Sequence, residues 1–242
     1  MFRIIISIIL WPLALLVFLL FVAIFLLLRL FIKPIPLFPF VRFACRMMML
    51  AAGQWLKIEG NLPDKNGQPY LYLFNHESMF DPFMLGGSVK HYITGVGANH
   101  QFSYPVWGFL IKRYGAIPIK RKKLAEAIHS LDIAEESIRN GISFIISPEG
   151  TRTVSGQMGP FKKGPFHVAL KTGVTIVPVA LIGAYKAKKK TDWKINPGIL
   201  TIRFGDPISG EQYKEMDIDK LQIHIREKIQ QLIDNKSEDK KL

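Results

Sequence analysis

Hydrophobic and polar positions divide the chain sharply. Ile4 to Leu28 contain no charged residue, and Ser7 carries the one hydroxyl. As a helix rising about 1.5 Å per residue, this run reaches about 37 Å, against about 30 Å for a hydrocarbon core. It is longer than the apolar region of a secretory signal, and no small-residue cleavage site precedes Arg29, so a membrane segment is the expectation. Pro12 leaves a re-entrant hairpin open beside a single spanning helix. Lys33-Pro-Ile-Pro-Leu-Phe-Pro39 then breaks any helix. From Phe40 to Lys57, Arg42, Arg46, Gly53 and Lys57 fall near one helical face, while Phe43, Ala44, Met47, Met48, Leu50, Ala51 and Trp55 cover most of the rest. That pattern predicts an amphipathic helix lying in a membrane interface; a core helix of a soluble domain is the competing reading.

Beyond residue 60 short β-rich runs alternate with helical patterns. The runs are YLYLFN (70–75), HYITGVG (91–97), GAIPI (115–119), ISFIIS (142–147), TIVPVALI (175–182) and ILTIRF (199–204). Several are apolar on both faces, as strands are when helices cover both sides of a parallel sheet. The helix between the third and fourth runs carries Leu124, Ala127, Ile128, Leu131, Ala134 and Ile138 at three-to-four spacing, with Gly141 as its stop and His129 on its polar side. Further helices are expected over Pro165–Thr172, ended by Gly173, and over Asp217–Ile233, striped by Ile218, Leu221, Ile225, Ile229 and Leu232. The predicted fold is therefore α/β, a mostly parallel sheet flanked by helices, preceded by the membrane helix or hairpin and the interfacial helix. The chain divides into 1–33 (membrane segment), 34–58 (interfacial helix), 59–235 (α/β domain) and 236–242 (charged tail).

Charge adds a direction. Lys and Arg number 32 against 19 Asp and Glu, a net +13, which calls for a polyanionic partner. The apolar N-terminus favours anionic membrane lipid; nucleic acid is set aside because the basic residues are not interleaved with an aromatic platform or a recognised module. Arg29, Lys33, Arg42 and Arg46 follow the apolar run and only Arg3 precedes it, so a spanning segment would place the domain on the cytoplasmic face. Cys45 is the single cysteine and has no disulfide partner.

Polar residues gather where strands stop: NHESMFD (75–81), Lys120-Arg121 and Ser147-Pro-Glu-Gly-Thr-Arg152. In a parallel sheet those carboxyl ends open on one crevice. A zinc protease motif fails because Phe80 stands where the second histidine is required, and the other histidines show no ligand spacing, so no metal site is expected. No G-x-S-x-G elbow occurs, and GQMGPFKKG (156–164) lacks the ending of a nucleotide P-loop. His76 and Asp81 remain. A carboxylate accepting the Nδ1 proton leaves Nε2 free as a general base, and the attacking group is then a hydroxyl of the substrate. An Asp capping a turn over a packed His gives the same spacing.

NHESMFDPF, GAIPIKR, SPEGTR and VPVAL, in this order, resemble the four motif blocks of the glycerophosphate and lysophospholipid acyltransferase family, over about residues 70–182. The resemblance implies His76 and Asp81 as a catalytic dyad, and Arg121, Glu149, Gly150, Thr151 and Arg152 as the glycerol phosphate site. Guanidinium forks suit phosphate, and a glycine lets backbone approach closely; Glu149 would orient Arg152 or the substrate hydroxyl. Pro118, Lys120, Ser147, Asn99 and Gln101 depart from common family residues, which bears on the acceptor.

The implied activity is transfer of an acyl chain from acyl-CoA or acyl-ACP to the free hydroxyl of 1-acylglycerol 3-phosphate or a related lysophospholipid, in phospholipid biosynthesis. Its partners would be lysophospholipid and acyl thioester substrates, anionic membrane lipids and an acyl carrier protein as one possible donor, with no metal or bound cofactor. Lys186 to Lys194 would face anionic lipid or the donor's phosphates. The alternative is a catalytically inactive, membrane-anchored lipid-binding protein of the same fold.

Overall fold

The run YLYLF sorts its side chains by face. Tyr70, Tyr72 and Phe74 enter one hydrophobic core and Leu71 and Leu73 enter another, and all five are buried. A strand covered on both sides is the centre of a sheet packed between helical layers. The computed structural model describes residues 2–67, 69–120 and 124–235. In chain order its elements are α1 (Phe2–Leu28), α2 (Phe38–Ala51), β1 (Gln54–Gly60), β2 (Tyr70–Phe74), α3 (Asp81–Ser88), β3 (Ile93–Ala98), α4 (Trp107–Tyr114), β4 (Ile117–Ile119) and α5 (Leu124–Arg139), followed by β5 (Ser143–Ile146), α6 (Gly164–Thr172), β6 (Thr175–Ile182), α7 (Ala184–Ala187), β7 (Gly198–Phe204), α8 (Gly210–Tyr213) and α9 (Ile218–Asp234).

The strands form one sheet in the order β1-β7-β6-β2-β5-β3-β4. Every neighbouring pair is parallel except β6 with β7. All six strands expected from the sequence are present. The mostly parallel arrangement brings the carboxyl ends of β2, β5 and β6 to one edge, which is where the polar segments emerge. On one face α9 buries Leu221, Ile225 and Ile229 beside Phe144, Phe166 and Ile176. Of the stripe expected of α5, Ala134 and Ile138 are buried and Leu131 packs beside them, Ile128 is 49% exposed, and the side chains of Leu124 and Ala127 lie outside the described residues. The tail 236–242 lies outside the described residues.

The helix expected over Phe40–Lys57 stops at Ala51, and its last residues belong instead to β1. Gly53 has φ +72, a left-handed turn that ends the helix. Trp55 and Lys57 then face solvent while Leu56 and Ile58 pack on the core, a period of two rather than 3.6. β1 pairs in parallel with β7, Trp55 opposite Ile199, so the sheet begins five residues before the boundary expected at 59.

α1 lies along the domain for its whole length. Near its start Arg3 meets Asp192 at 3.4 Å, Ser7 Oγ accepts from the Ile195 N–H at 2.9 Å, and the Trp11 indole N–H donates to the Trp193 carbonyl at 2.8 Å. Further on Phe18 packs against Trp107 and Phe25 against Tyr114, and just past its end Arg29 donates to the Arg113 carbonyl at 3.2 Å. Only Ser7, Ala14, Val22 and Phe25 are buried; Ile8, Ile9, Leu16 and Leu20 are among the many apolar residues left exposed.

β1 ends at Gly60, with φ +79, where an added Cβ would sit 2.0 Å from the Phe204 carbonyl oxygen. Gly141 has φ +83 and nothing within 4 Å of that position. Gly60→Ala is expected to destabilise the fold by more than the about 1–3 kcal/mol of left-handed strain alone, and Gly141→Ala by no more than that strain. Denaturant midpoints of the two variants provide the comparison.

Candidate active site

The loop from Asn75 to Phe80 folds around one carboxylate. Asp81 opens α3 and is fully buried, with the favourable end of the helix dipole behind it. Its Oδ2 accepts the Glu77 N–H at 2.8 Å, its Oδ1 and Oδ2 share the Ser78 N–H at 3.0 and 3.1 Å, and Oδ2 lies 2.6 Å from His76 Nδ1. An ionised carboxylate only accepts, so this contact puts the imidazole proton on Nδ1 and leaves Nε2 a free lone pair. The His76 side chain is 23% exposed, so the ring reaches solvent while its anchor does not. Within the same loop Phe80 is buried and Met79 exposed.

The rest of the loop is tied to neighbouring strand ends. Asn75 is buried, and its carboxamide both donates to the Leu181 carbonyl, at 2.8 Å, and accepts from the Leu181 N–H, at 2.7 Å. It thereby continues the β2–β6 ladder with a side chain where β2 has ended. Glu77 accepts the Tyr185 N–H at 2.9 Å, and Ser78 Oγ donates to the Lys188 carbonyl at 2.9 Å. Burial, reinforced by Asp81 and Glu149 nearby, pushes the Glu77 carboxyl up to about 7.

The Glu-Gly-Thr-Arg segment follows β5. Glu149 was expected to orient Arg152 or a substrate hydroxyl; its oxygens instead meet backbone, Oε1 accepting the His76 N–H and Oε2 the Gly159 N–H, each at 2.7 Å. Burial raises its carboxyl above the ordinary range, and those two N–H groups oppose the shift. The Thr153 N–H donates to the His76 carbonyl at 2.8 Å, so both backbone groups of His76 are held from this segment. Gly150 has φ +66 and leaves room for Lys162, whose Nζ lies 3.3 Å from where a Cβ would be. The exposed Thr151 hydroxyl accepts from Lys190 Nζ at 3.2 Å. Arg152 is half-buried, and no carboxylate among the described residues pairs with it. Arg121 lies outside the described residues.

Arg226 was not singled out from the sequence. It donates to the Gly159 carbonyl and, at 3.0 Å, to the Met158 carbonyl, with its guanidinium 5.3 Å from the Phe161 ring centroid. α9 therefore holds the loop whose Gly159 N–H holds Glu149. A cavity of about 310 Å³ opens here between His76, Glu77, Glu149, Gln157, Arg226 and Gln230. Of the other histidines, His91 is buried with Nε2 3.3 Å from the Tyr72 hydroxyl, and His100, His129 and His167 are exposed.

The family model described as Acyltransferase matches residues 56–182, just over half of the chain. The 1-acyl-sn-glycerol-3-phosphate acyltransferase of Cocos nucifera is 31% identical over 174 residues, covering 72% of this chain and 56% of that protein. The chloroplastic 1-acyl-sn-glycerol-3-phosphate acyltransferase LPAT1 of Arabidopsis thaliana is 35% identical over 65% of this chain and 44% of its own. The Saccharomyces cerevisiae 1-acyl-sn-glycerol-3-phosphate acyltransferase is 32% identical over 76% and 61%. The chain thus spans about half the length of these curated relatives. The crystal structure of the 1-acyl-sn-glycerophosphate (LPA) acyltransferase PlsC from Thermotoga maritima shares the fold, with a TM-score of 0.82, 20% identity, and coverage of 95% of this chain and 93% of that one.

Glu149→Gln keeps the shape of the side chain but turns an NH2 toward one of two N–H donors. It is expected to cost about 1–3 kcal/mol, the penalty of an unsatisfied buried donor, read from denaturant melts. Hydrogen exchange should locate the loss at the amides of His76 and Gly159.

Proposed function

We propose, taking as premise that the chain belongs to the acyltransferase family, that it transfers an acyl group from a CoA or carrier-protein thioester to the free hydroxyl of 1-acylglycerol 3-phosphate or a related lysophospholipid. The observation that carries this reading is the 2.6 Å contact between His76 Nδ1 and the fully buried Asp81. The activity for which the relatives are named supports the choice of acceptor.

The acceptor hydroxyl attacks the thioester carbonyl as His76 Nε2 takes its proton, and Asp81 stabilises the imidazolium that forms. The tetrahedral intermediate collapses, the C–S bond breaks, and the departing thiolate recovers the proton from His76. Atoms and charge balance with no metal or prosthetic group. Arg152, and Arg121 in the second motif block, are assigned to the acceptor's phosphate, for which a guanidinium offers paired donors. Gly150 leaves the space at the strand end to the Lys162 side chain, and Thr151 presents beside it a hydroxyl that accepts from Lys190 Nζ. Glu149 acts through His76: it fixes the backbone from which the imidazole hangs.

The same reading places the enzyme on a membrane. α1 is long and apolar enough to cross one, yet it touches the domain from Arg3 to Phe25, with Arg29 just beyond, rather than at one end only. We therefore assign it to the membrane surface, its exposed Ile and Leu residues entering the acyl chains beside Phe43, Leu50 and Trp55. Arg42 and Arg46 on α2 are half-buried and Arg46 Nε donates to the Gly87 carbonyl at 2.7 Å, so we assign to anionic headgroups only the guanidinium edges left at the surface. Arg29 and Lys33, just after α1, favour the leaflet rich in anionic lipid, the cytoplasmic one.

Two measurements test this. Initial rates across a panel of acyl-CoA and acyl carrier protein donors against lysophospholipid acceptors, read by mass spectrometry, should show transfer that His76→Ala lowers by about 10² to 10⁴-fold or more while the fold persists. A folded wild-type chain that acylates nothing would instead support an inactive lipid-binding protein. Second, a cysteine placed at Phe2 should be labelled from the same side of sealed vesicles as the domain; labelling from the opposite side would make α1 a spanning helix.

A further inference from the structure

α9 meets the loop after the Glu-Gly-Thr-Arg segment along one polar stripe. Asp219, Gln222, Arg226 and Gln230 recur every three or four residues, beyond residue 182, where the family match ends. Asp219 pairs with Lys163 at 2.7 Å, Gln222 Nε2 donates to the Phe161 carbonyl at 2.7 Å, and Arg226 donates to the Gly159 and Met158 carbonyls. Gln230 lines the cavity together with Gln157. The loop thus runs antiparallel to the helix and is splinted by it.

One amide of that loop has a cation on one side and an anion on the other. The Met158 carbonyl and the Gly159 N–H belong to the same peptide group. Arg226 Nη2 donates to its oxygen at 3.0 Å, and its N–H donates to Glu149 Oε2 at 2.7 Å. Glu149 Oε1 in turn accepts the His76 N–H at 2.7 Å. An amide polarised by a guanidinium at its oxygen is a stronger donor at its nitrogen, because hydrogen bonds in a chain reinforce one another where water is excluded. Around Glu149, His76 and Glu77 come from the loop after β2, Lys162 from beside Gly150 and Arg226 from α9. Burial drives the Glu149 carboxyl towards protonation, while its two N–H donors, His76 and the Arg226 charge oppose this.

We propose that Arg226 is a positioning residue for His76: through the Met158–Gly159 amide it holds Glu149 against the His76 N–H, and so fixes the backbone that carries the general base. In this role it touches neither substrate. Its effect on rate rests on the acyl-transfer reading, whereas the relay is a property of the folded chain. Without the Arg226 charge the Glu149 carboxyl rises further and takes up its proton at higher pH. The order that ionised Glu149 gives to His76 is present above that pKa and lost as pH falls through it, so the loss begins sooner in a variant without the cation. Glu77, pushed up to about 7 in the same cavity, titrates in wild type and variants alike.

Steady-state rates of the full chain, with 1-acylglycerol 3-phosphate and an acyl-CoA as probes, test the role. Arg226→Met should lower kcat by about tenfold to a hundredfold, the scale of a small misplacement of a catalytic group, and leave both KM values unchanged. Its deficit should widen as pH falls. Arg226→Gln, which keeps a donor and loses the charge, should behave alike and replaces it should Arg226→Met not fold. Arg226→Lys, which keeps the charge, should restore most of kcat and the wild-type pH profile. Adding Glu149→Gln to Arg226→Met should cost no more than Glu149→Gln alone, since both break one relay. Lys214→Met, on the surface beside Glu211, should change nothing. A higher KM at unchanged kcat would overturn the proposal and make Arg226 a substrate contact. Losses that add to those of Glu149→Gln, or an Arg226→Lys as impaired as Arg226→Gln, would overturn it too. Amide exchange keeps the two readings apart, because protection of the His76 and Gly159 amides, compared at one pH, should fall in Arg226→Met whether or not the chain turns over. A wild type that acylates nothing sinks the acyl-transfer reading; protection untouched by the substitution sinks the relay.

Discussion

Everything at this site hangs from a carboxylate removed from water. An unpaired buried Asp81 would be costly, and three things offset that cost: two backbone N–H groups, the start of a helix, and the His76 ring. Because the N–H groups come from Glu77 and Ser78, the residues directly after His76, the loop closes in one way only. The acid that holds the imidazole also dictates the backbone from which the imidazole hangs. The Phe74 ring adds an edge-on contact to the imidazole, centroid to centroid 5.9 Å.

Three neighbouring strand ends then share the work by side-chain bonds that imitate backbone ones. Asn75 extends β2 by one rung against Leu181, Glu149 bridges two amides that no strand pairs, and Glu77 receives the first free N–H groups of α7. The bonds of Asn75 to Leu181, Glu149 to His76 and Glu77 to Tyr185 join positions 106, 73 and 108 residues apart, while that of Glu149 to Gly159 closes its own segment. The loop amides therefore find partners in a region where the sheet has run out, as buried backbone must. Arg226 adds a fourth anchor from α9, beyond the segment matched to the family.

What could be read in advance followed from locality. The six strands showed themselves because each is a short apolar run bounded by turn residues, and His76 and Asp81 because both sit in one loop. β1 was hidden because Arg42, Arg46, Gly53 and Lys57 continue a helical spacing through Gly53, and only its positive φ shows that the chain turns there. Glu149 was legible as a site residue but not in its contacts, since residue type predicts a partner's charge and its partners are uncharged amides. Arg226 was invisible because the pattern of α9 identifies the face that is buried and says nothing of the polar residue beside it. α1 is apolar all round, so no moment marked the narrow stripe of Ser7, Ala14, Val22 and Phe25 that meets the domain.

That stripe changes how substrate supply is counted. If α1 holds the domain flat on a leaflet, as proposed, a lysolipid reaches the site by lateral diffusion, in two dimensions, without being extracted into water. The acceptor's effective concentration is then its mole fraction among neighbouring lipids, and inert lipid dilutes it as solvent would. The acyl thioester, if it arrives from the aqueous side, is counted in molar units. On the proposed reading, one enzyme works against two different concentration scales, and the composition of the leaflet becomes a kinetic variable in its own right.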